Sequence, residues 1–437
     1  MSTSLTFPMS RIEGHAQVVI EIQEGEVISA RFQALEYRGF DYLVKGVDAE
    51  QITVIVPRIC GVCSTAHHLA SVKALEDAYG VTPPPLGQTI RELLMLGQTV
   101  QNQATSLFIF TMPDRLGVDS IFEMGDPDTV ANGPNIASRA LRVRQAGTDL
   151  IRLAGGQFIH PIKAIVGGVT SGVAPRDAEV VRNTVLQALP VARELFDIYW
   201  EMSLTMGERL GTWGDDNPAC YITSLTEEQP DYTGDALRVM CADGSESVSF
   251  SAKDFQVYLD YEESGYSYSD KTTYGGQVMR ANSLARINMT EQMGTPIADA
   301  YLDRFREAFG WPAHALMLFD LARGIELVYS LERAAEILTE PLNNGEVAVP
   351  HTPRDGEGYG LVEAPRGPLI HHYRIVDGAI EDVDFIIPTV HNMSAIERAL
   401  RIAAERYIRQ DQIDLELERA VGRVVRAFDP CIACATH

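Results

Sequence analysis

Two short cysteine motifs at opposite ends of the chain constrain its folding more than any other feature. Cys60-Gly61-Val62-Cys63 lies near the start, and Cys431-Ile432-Ala433-Cys434 ends three residues before His437, the last of 437 residues. Four thiols in two Cys-x-x-Cys pairs have three common uses: a structural Zn site, an iron-sulfur or other soft-metal centre, or redox disulfides. Zinc ribbons place the second pair about 15–20 residues after the first, far closer than here. A site shared by both pairs would tie the two ends of the chain together. The first pair precedes a helical-looking stretch from Ala66 to Tyr79, and a helix start lowers thiol pKa. The second follows a helical pattern over Gln412 to Phe428 that the Asp429-Pro430 step should stop. The remaining cysteines, Cys220 and Cys241, are too few for a disulfide scaffold or a four-cysteine cluster of their own.

The surroundings of these motifs read as a large, mostly helical protein. Helical spacing covers Thr89 to Asn102 and Ser394 to Ile408, the latter with Ser394 and Glu397 at capping-box positions. Val18, Ile20 and Ile22 alternate before a turn at Glu24-Gly25-Glu26, which predicts a β-hairpin, and a second hairpin is expected around Asp377-Gly378. The fold class is therefore α+β, predominantly α-helical, with small β-sheets at the periphery. Residues 1–437 are read as one large domain, and the polar, Tyr/Ser/Gly-rich stretch at about 214–276 as a peripheral insertion. With 36 Lys+Arg against 60 Asp+Glu, the net charge of −24 repels phosphate backbones and excludes nucleic acid as a partner. Met1 to Ser10 has no signal-peptide pattern and no window nears ~20 apolar residues, so no direct membrane insertion is expected.

Further motifs narrow the choice. Arg11-Ile12-Glu13-Gly14-His15 and Tyr37-Arg38-Gly39-Phe40 precede the first cysteine pair, and His67 follows it by four residues. Next come His160-Pro161 with Gly167-Gly168, Glu363-Ala364-Pro365-Arg366-Gly367, and Pro388-Thr389 with Asn392, before Asp429-Pro430-Cys431. In this order, across nearly the whole chain, the set resembles the large subunit of the nickel-iron hydrogenases. The resemblance implies a long-helix bundle around a buried metal centre and an oxidoreductase that cleaves H2 reversibly and heterolytically. It implies a Ni-Fe centre with one CO and two CN ligands, a separate Mg, and a partner in the form of an iron-sulfur small subunit, with further electron-transfer subunits in some relatives. A cytoplasmic location is favoured, with export or membrane association through a partner as the alternative. His437 matches the residue after which maturation proteases cut relatives that carry an extension.

Residue roles follow by position. Cys60 and Cys431 match terminal nickel ligands, and Cys63 and Cys434 match the bridging pair. Cys431 would take the proton released from H2, and Glu13 would carry it on; read alone, Glu13 is a surface or salt-bridged carboxylate. Arg366 matches an arginine that approaches the metals, against a structural pairing with Glu363. Pro388 and Thr389 match the pair that reaches the cyanides, against a plain strand-end turn. His67 matches a histidine bonded to a bridging thiolate, against an ordinary core residue. His437, Phe385 through its carbonyl, and Asp41 match the Mg ligands, against a disordered terminus for His437. The family has Glu where this chain has Asp41, one methylene shorter, which suits a bridging water. Asn102, Gln103 and Ser106 stand where the family commonly has a Ser/Asp-His pair and another His. Polar character is kept there, and titratable imidazole is lost. A non-catalytic relative such as the respiratory-complex quinone-site subunit is the alternative within this fold, and retention of all four cysteines argues against it.

Overall fold

Alternation of apolar residues puts one face of the N-terminal strands inside, and Val18, Ile20 and Ile22 are fully buried. The computed structural model describes residues 2–122, 133–214, 219–224, 229–234, 236–408, 413 and 415–437. Strands β1 (Ser2–Pro8), β2 (Ala16–Gln23) and β3 (Glu26–Ala34) form an antiparallel sheet, with the expected hairpin turning at Glu24-Gly25.

Long helices make the centre. They are α1 (Ser64–Tyr79), α2 (Pro85–Ala104), α3 (Gly133–Gly155), α4 (Pro175–Leu210), α5 (Leu318–Ile337), α6 (Pro388–Tyr407) and α7 (Leu415–Phe428). Helix α2 packs along α3 and α5, and α4 packs against the same two, so four long helices form a bundle. The expected stripe of α2 is inside, with Ile90, Leu93, Leu94 and Val100 all buried. The polar Gln98, Asn102 and Gln103 of the same helix are buried too. The amide of Ala66, unpaired by the helical ladder at the start of α1, donates to Gln98 Oε1 at 2.9 Å.

Helix α6 departs from expectation at its start. It begins at Pro388, six residues before Ser394, because proline at the first helical position has a suitable φ and leaves no N–H to satisfy. Ser394 and Glu397 thus lie inside the helix and form no capping box. The Glu397 carboxylate instead accepts from Phe32 N (3.0 Å), Tyr266 OH (2.7 Å) and Lys271 Nζ (2.5 Å), fastening α6 to two sheets. The expected helix before Asp429 is present from Leu415, and residues 412 and 414 lie outside the described ones. It stops where expected, at Asp429, whose φ of 49 is left-handed.

The 214–276 stretch contributes to a six-stranded sheet. Its strands β4 (Cys220–Thr223), β5 (Ala236–Met240), β6 (Glu246–Ser251), β7 (Leu259–Glu262), β8 (Lys271–Tyr274) and β9 (Gln277–Arg280) run in the order β6-β5-β4-β9-β8-β7. A last antiparallel sheet holds β10 (Gly356–Ala364), β11 (Gly367–Val376) and β12 (Ala379–Ile386), with the second expected hairpin at Asp377-Gly378. Ile370 and Ile386 of this sheet share one apolar core with Ile222, Leu237 and Phe250 of the six-stranded sheet. The fold is α+β and mainly helical, as the patterns indicate.

Helix α1 lies directly on β10, and glycine makes the approach possible. A Cβ on Gly360 would stand 1.9 Å from Ala70 O and 2.5 Å from Ala74 N, both main-chain atoms that cannot rotate away. This contact sets the distance between Cys63, the residue capping α1, and the β10–β11 turn that carries Arg366. Gly360→Ala is expected to cost about 1–3 kcal/mol or more through overpacking. Its urea midpoint should fall and its metal content drop with it; an unchanged midpoint would show that helix and strand are not locked together.

Candidate metal centre

The two cysteine pairs meet. Cys60 lies in the turn before α1 and Cys63 caps that helix, while Cys431 caps the short helical turn Ile432–Ala435 and Cys434 lies within it. All four are buried free thiols with their sulfurs within 4.8 Å of one another. Cys63 and Cys434 approach to 2.9 Å, Cys431 and Cys434 to 2.7 Å, and Cys60 and Cys431 to 3.4 Å. One shared site, rather than two separate ones, is the arrangement.

Main-chain bonds bring the ends together. Glu13 O accepts from Ile432 N at 3.0 Å, and Thr436 O accepts from Arg38 N at 2.9 Å. The Arg38 guanidinium donates to Ile59 O beside the first pair. Gly14 has a φ of +82, and a Cβ there would sit 2.7 Å from Ile432 Cβ. The Arg-Ile-Glu-Gly-His motif therefore needs its glycine to admit the C-terminal tail.

Four thiols sharing one buried site cannot all ionise alone. Hydrogen bonds from Cys431, Cys434 and Cys63 pull the Cys60 thiol well below its usual range, while burial pushes Cys63, Cys431 and Cys434 up. A soft cation at their centre would favour thiolate at every position. Arg366 lines the same cavity, and among the described residues its Nη1 has no partner. That unpartnered N–H of a buried guanidinium and the four thiolate donors fit a soft metal carrying anionic ligands.

Glu13 stands against the cluster. Its Oε2 accepts from Cys431 Sγ at 3.1 Å and from Ala433 N at 3.0 Å. Burial, and then the negative charge of Cys60, push its carboxyl above the ordinary range. Arg366 is not paired with Glu363. It donates from Nη2 to Asp429 Oδ1 at 3.0 Å and from Nε to Asp429 O at 2.5 Å, while Glu363 accepts from Arg286 at 2.7 Å and from Ser224. Thr389 lies in the first turn of α6 and its Oγ1 accepts from Cys431 N at 3.0 Å, leaving the hydroxyl hydrogen for another acceptor. Pro388 forms an adjacent wall.

His67 Nε2 lies 3.4 Å from Cys434 Sγ, and its Nδ1 lies 3.0 Å from His371 Nε2. Burial pushes His67 down to about 4 and His371 lower than its usual range as well. A second cavity gathers Asp41, Phe385 and His437 with Asp270 and Asp384. His437 is largely buried, with Nδ1 3.1 Å from Cys434 O and its ring against Phe385. Tyr37 OH donates to Asp41 at 3.0 Å.

Three residues at the site carried no role in the sequence reading. Asp429 was legible only as a helix stop, although it sits in the second cysteine motif. Asn102 Nδ2 donates to Asp429 Oδ2 at 3.2 Å, so the polar departure on α2 buttresses Arg366 through Asp429. His371 was signalled by strand alternation alone: beside His372, one of two adjacent histidines had to point inward.

Comparison with known proteins agrees with this geometry. The family profile described as nickel-dependent hydrogenase matches residues 38–132 and 225–437, and one described as HoxL-like matches residues 7–37. One subunit of the F420-non-reducing hydrogenase vhu of Methanococcus voltae is 33% identical over 422 residues, covering 91% of this chain and 97% of that one. The beta subunit of the NAD-reducing hydrogenase HoxS of Cupriavidus necator is 28% identical, covering 98% and 93%. The crystal structure of an NAD+-reducing [NiFe]-hydrogenase in the H2-reduced state superposes with a TM-score of 0.92 at 27% identity, covering 100% of this chain and 99% of that one. With its four cysteines gathered as the centre requires, the chain belongs to the nickel-dependent hydrogenases, as a catalytic large subunit of the nickel-iron type.

Proposed function

We propose that in this hydrogenase large subunit Cys431 Sγ receives the proton of heterolytic H2 cleavage and Glu13 carries it away. The 3.1 Å contact between Cys431 Sγ and Glu13 Oε2 carries this reading. A carboxyl with a raised pKa can both accept a proton from a thiol and release it, which suits a reversible transfer. The Ala433 N–H fixes the accepting oxygen.

Cys60 and Cys431 would hold nickel as terminal ligands, and Cys63 and Cys434, facing each other at 2.9 Å, would bridge to iron. When bound, the nickel-iron centre with one CO and two CN ligands supplies the low-spin, redox-active Lewis acidity that H2 cleavage needs. The free Nη1 of Arg366 and the unused hydroxyl hydrogen of Thr389 are donors for the cyanides, with Pro388 shaping the same wall. Leu369 and Ile387 complete the lining and exclude water. His437, the carbonyl of Phe385 and Asp41 would hold Mg, with the shorter Asp41 acting through water and the nearby Asp270 and Asp384 adding negative charge.

On the same reading the chain is one catalytic domain in which the 214–276 stretch is an insertion. Electrons leave it for an iron-sulfur small subunit, then for onward carriers, because Cys220 and Cys241 alone cannot ligate a cluster. The described residues include no helix long and apolar enough to cross a membrane.

Metal analysis should find nickel and iron in equal amounts, with CO and CN infrared bands; zinc alone would replace this reading by a structural one. Cys431→Ser should reduce H2 turnover to background, and retained turnover would remove Cys431 from the chemistry. Glu13→Gln keeps the hydrogen-bonding shape and removes the proton carrier. Its H2/D2O exchange should fall by about 10²-fold or more at unchanged nickel content; exchange at the native rate would take Glu13 off the path.

A further inference from the structure

A line of three buried side chains runs away from the centre behind Cys434. His67 Nε2 lies 3.4 Å from Cys434 Sγ, His67 Nδ1 lies 3.0 Å from His371 Nε2, and His371 Nδ1 lies 2.7 Å from Tyr373 OH. The three side chains are 1%, 0% and 0% exposed, so water does not compete at any joint. Helix α1 supplies His67, one turn after Cys63. Strand β11 supplies the other two, because His371 and Tyr373 are two residues apart and face the same side. His372 points the opposite way and pairs with Asp384.

We infer that His371 and Tyr373 are positioning residues that lock His67 into one tautomer, donating to Cys434, and thereby set the electron density on that sulfur. This rests on the reading of Cys434 as a metal-bound thiolate. Such a sulfur only accepts hydrogen bonds, so His67 must carry its hydrogen on Nε2 and leave Nδ1 bare. His371 then has to donate from Nε2, which leaves its own Nδ1 bare, and the Tyr373 hydroxyl must donate there. Each joint has one consistent arrangement, and all three donors point toward the sulfur. Aligned hydrogen bonds polarise one another, so the outermost hydroxyl strengthens the bond at Cys434 although it touches no ligand. A stronger hydrogen bond withdraws charge from a thiolate and makes the metals it holds easier to reduce.

Two measurements test this. The first uses the full chain labelled with 15N-histidine and loaded with Cd2+ as a diamagnetic probe, with signals assigned by their loss in His67→Gln and His371→Gln. Both rings should show the Nε2–H tautomer; an Nδ1–H form of either ring in the Cd2+-bound chain overturns the inference. A chain whose four cysteines do not bind Cd2+ overturns the ligand reading and this inference with it. The second uses the holoenzyme. Tyr373→Phe and His371→Phe should shift the nickel midpoint potential to more negative values at unchanged nickel content. His371→Gln, whose amide can donate to His67 and accept from Tyr373, should stay near the native potential. Equal potentials in all three variants would assign His371 and Tyr373 to packing alone. Tyr373→Phe removes a single oxygen, so it keeps the test open if His371→Phe does not fold.

Discussion

Closing the chain on itself is the requirement from which the rest of this structure follows. The paired cysteines are 371 positions apart, and bringing two points that distant together costs an unfolded chain about 5 kcal/mol by loop-closure scaling. The thiols themselves cannot offset that, since burial opposes ionisation at Cys63, Cys431 and Cys434. Main-chain bonds from Ile432 to Glu13 and from Arg38 to Thr436 close the ends instead. Asp114 reinforces them, accepting from Arg426 at 2.7 Å and from Arg11 at 2.7 Å, so a single buried carboxylate holds both ends of the chain. Apolar burial of Ile432 and Phe428 adds on the order of 1.5–3 kcal/mol each. The N-terminal motifs are thus a structural clasp as well as a source of Glu13, which explains why residues so far from the second cysteine pair belong to the same site.

The amount of this that could be read from sequence differs by the kind of signal involved. Hairpins with Gly at the turn and alternating strands were legible because their determinants are local. Arg366 was legible as a site residue but not its partner, since Glu363 is three positions away and Asp429 is distant in sequence and only adjacent in space. The Ser394–Glu397 capping box failed for a related reason. Its local pattern is real, but Pro388 starts the helix earlier, and Glu397 is used by Phe32, Tyr266 and Lys271. His371 was missed, and Asn102 was singled out without its partner Asp429, because a polar residue on a core-facing position carries no mark of what it will meet.

The departures on α2 make physical sense once the charges behind the centre are followed. Arg366 is buried among thiols and needs a counter-charge that is itself secured, because an unpaired buried ion costs several kcal/mol. Asp429 supplies that charge, and Asn102 satisfies its second oxygen with a neutral N–H. A carboxylate at position 102 would face Asp429 at the same 3.2 Å, and two acids so close cannot both ionise. One of them would hold a proton, and that proton would compete with Arg366 for Asp429. Gln103 repeats the solution beside it, donating at 2.8 Å to Glu326, which is already paired with Arg286. Neutral amides at both positions let each buried arginine keep its carboxylate with no proton to lose. Neutral amides at these positions therefore fix the charge state behind the four cysteines, and on the proposed reading proton movement is left to the other side, where Glu13 meets Cys431.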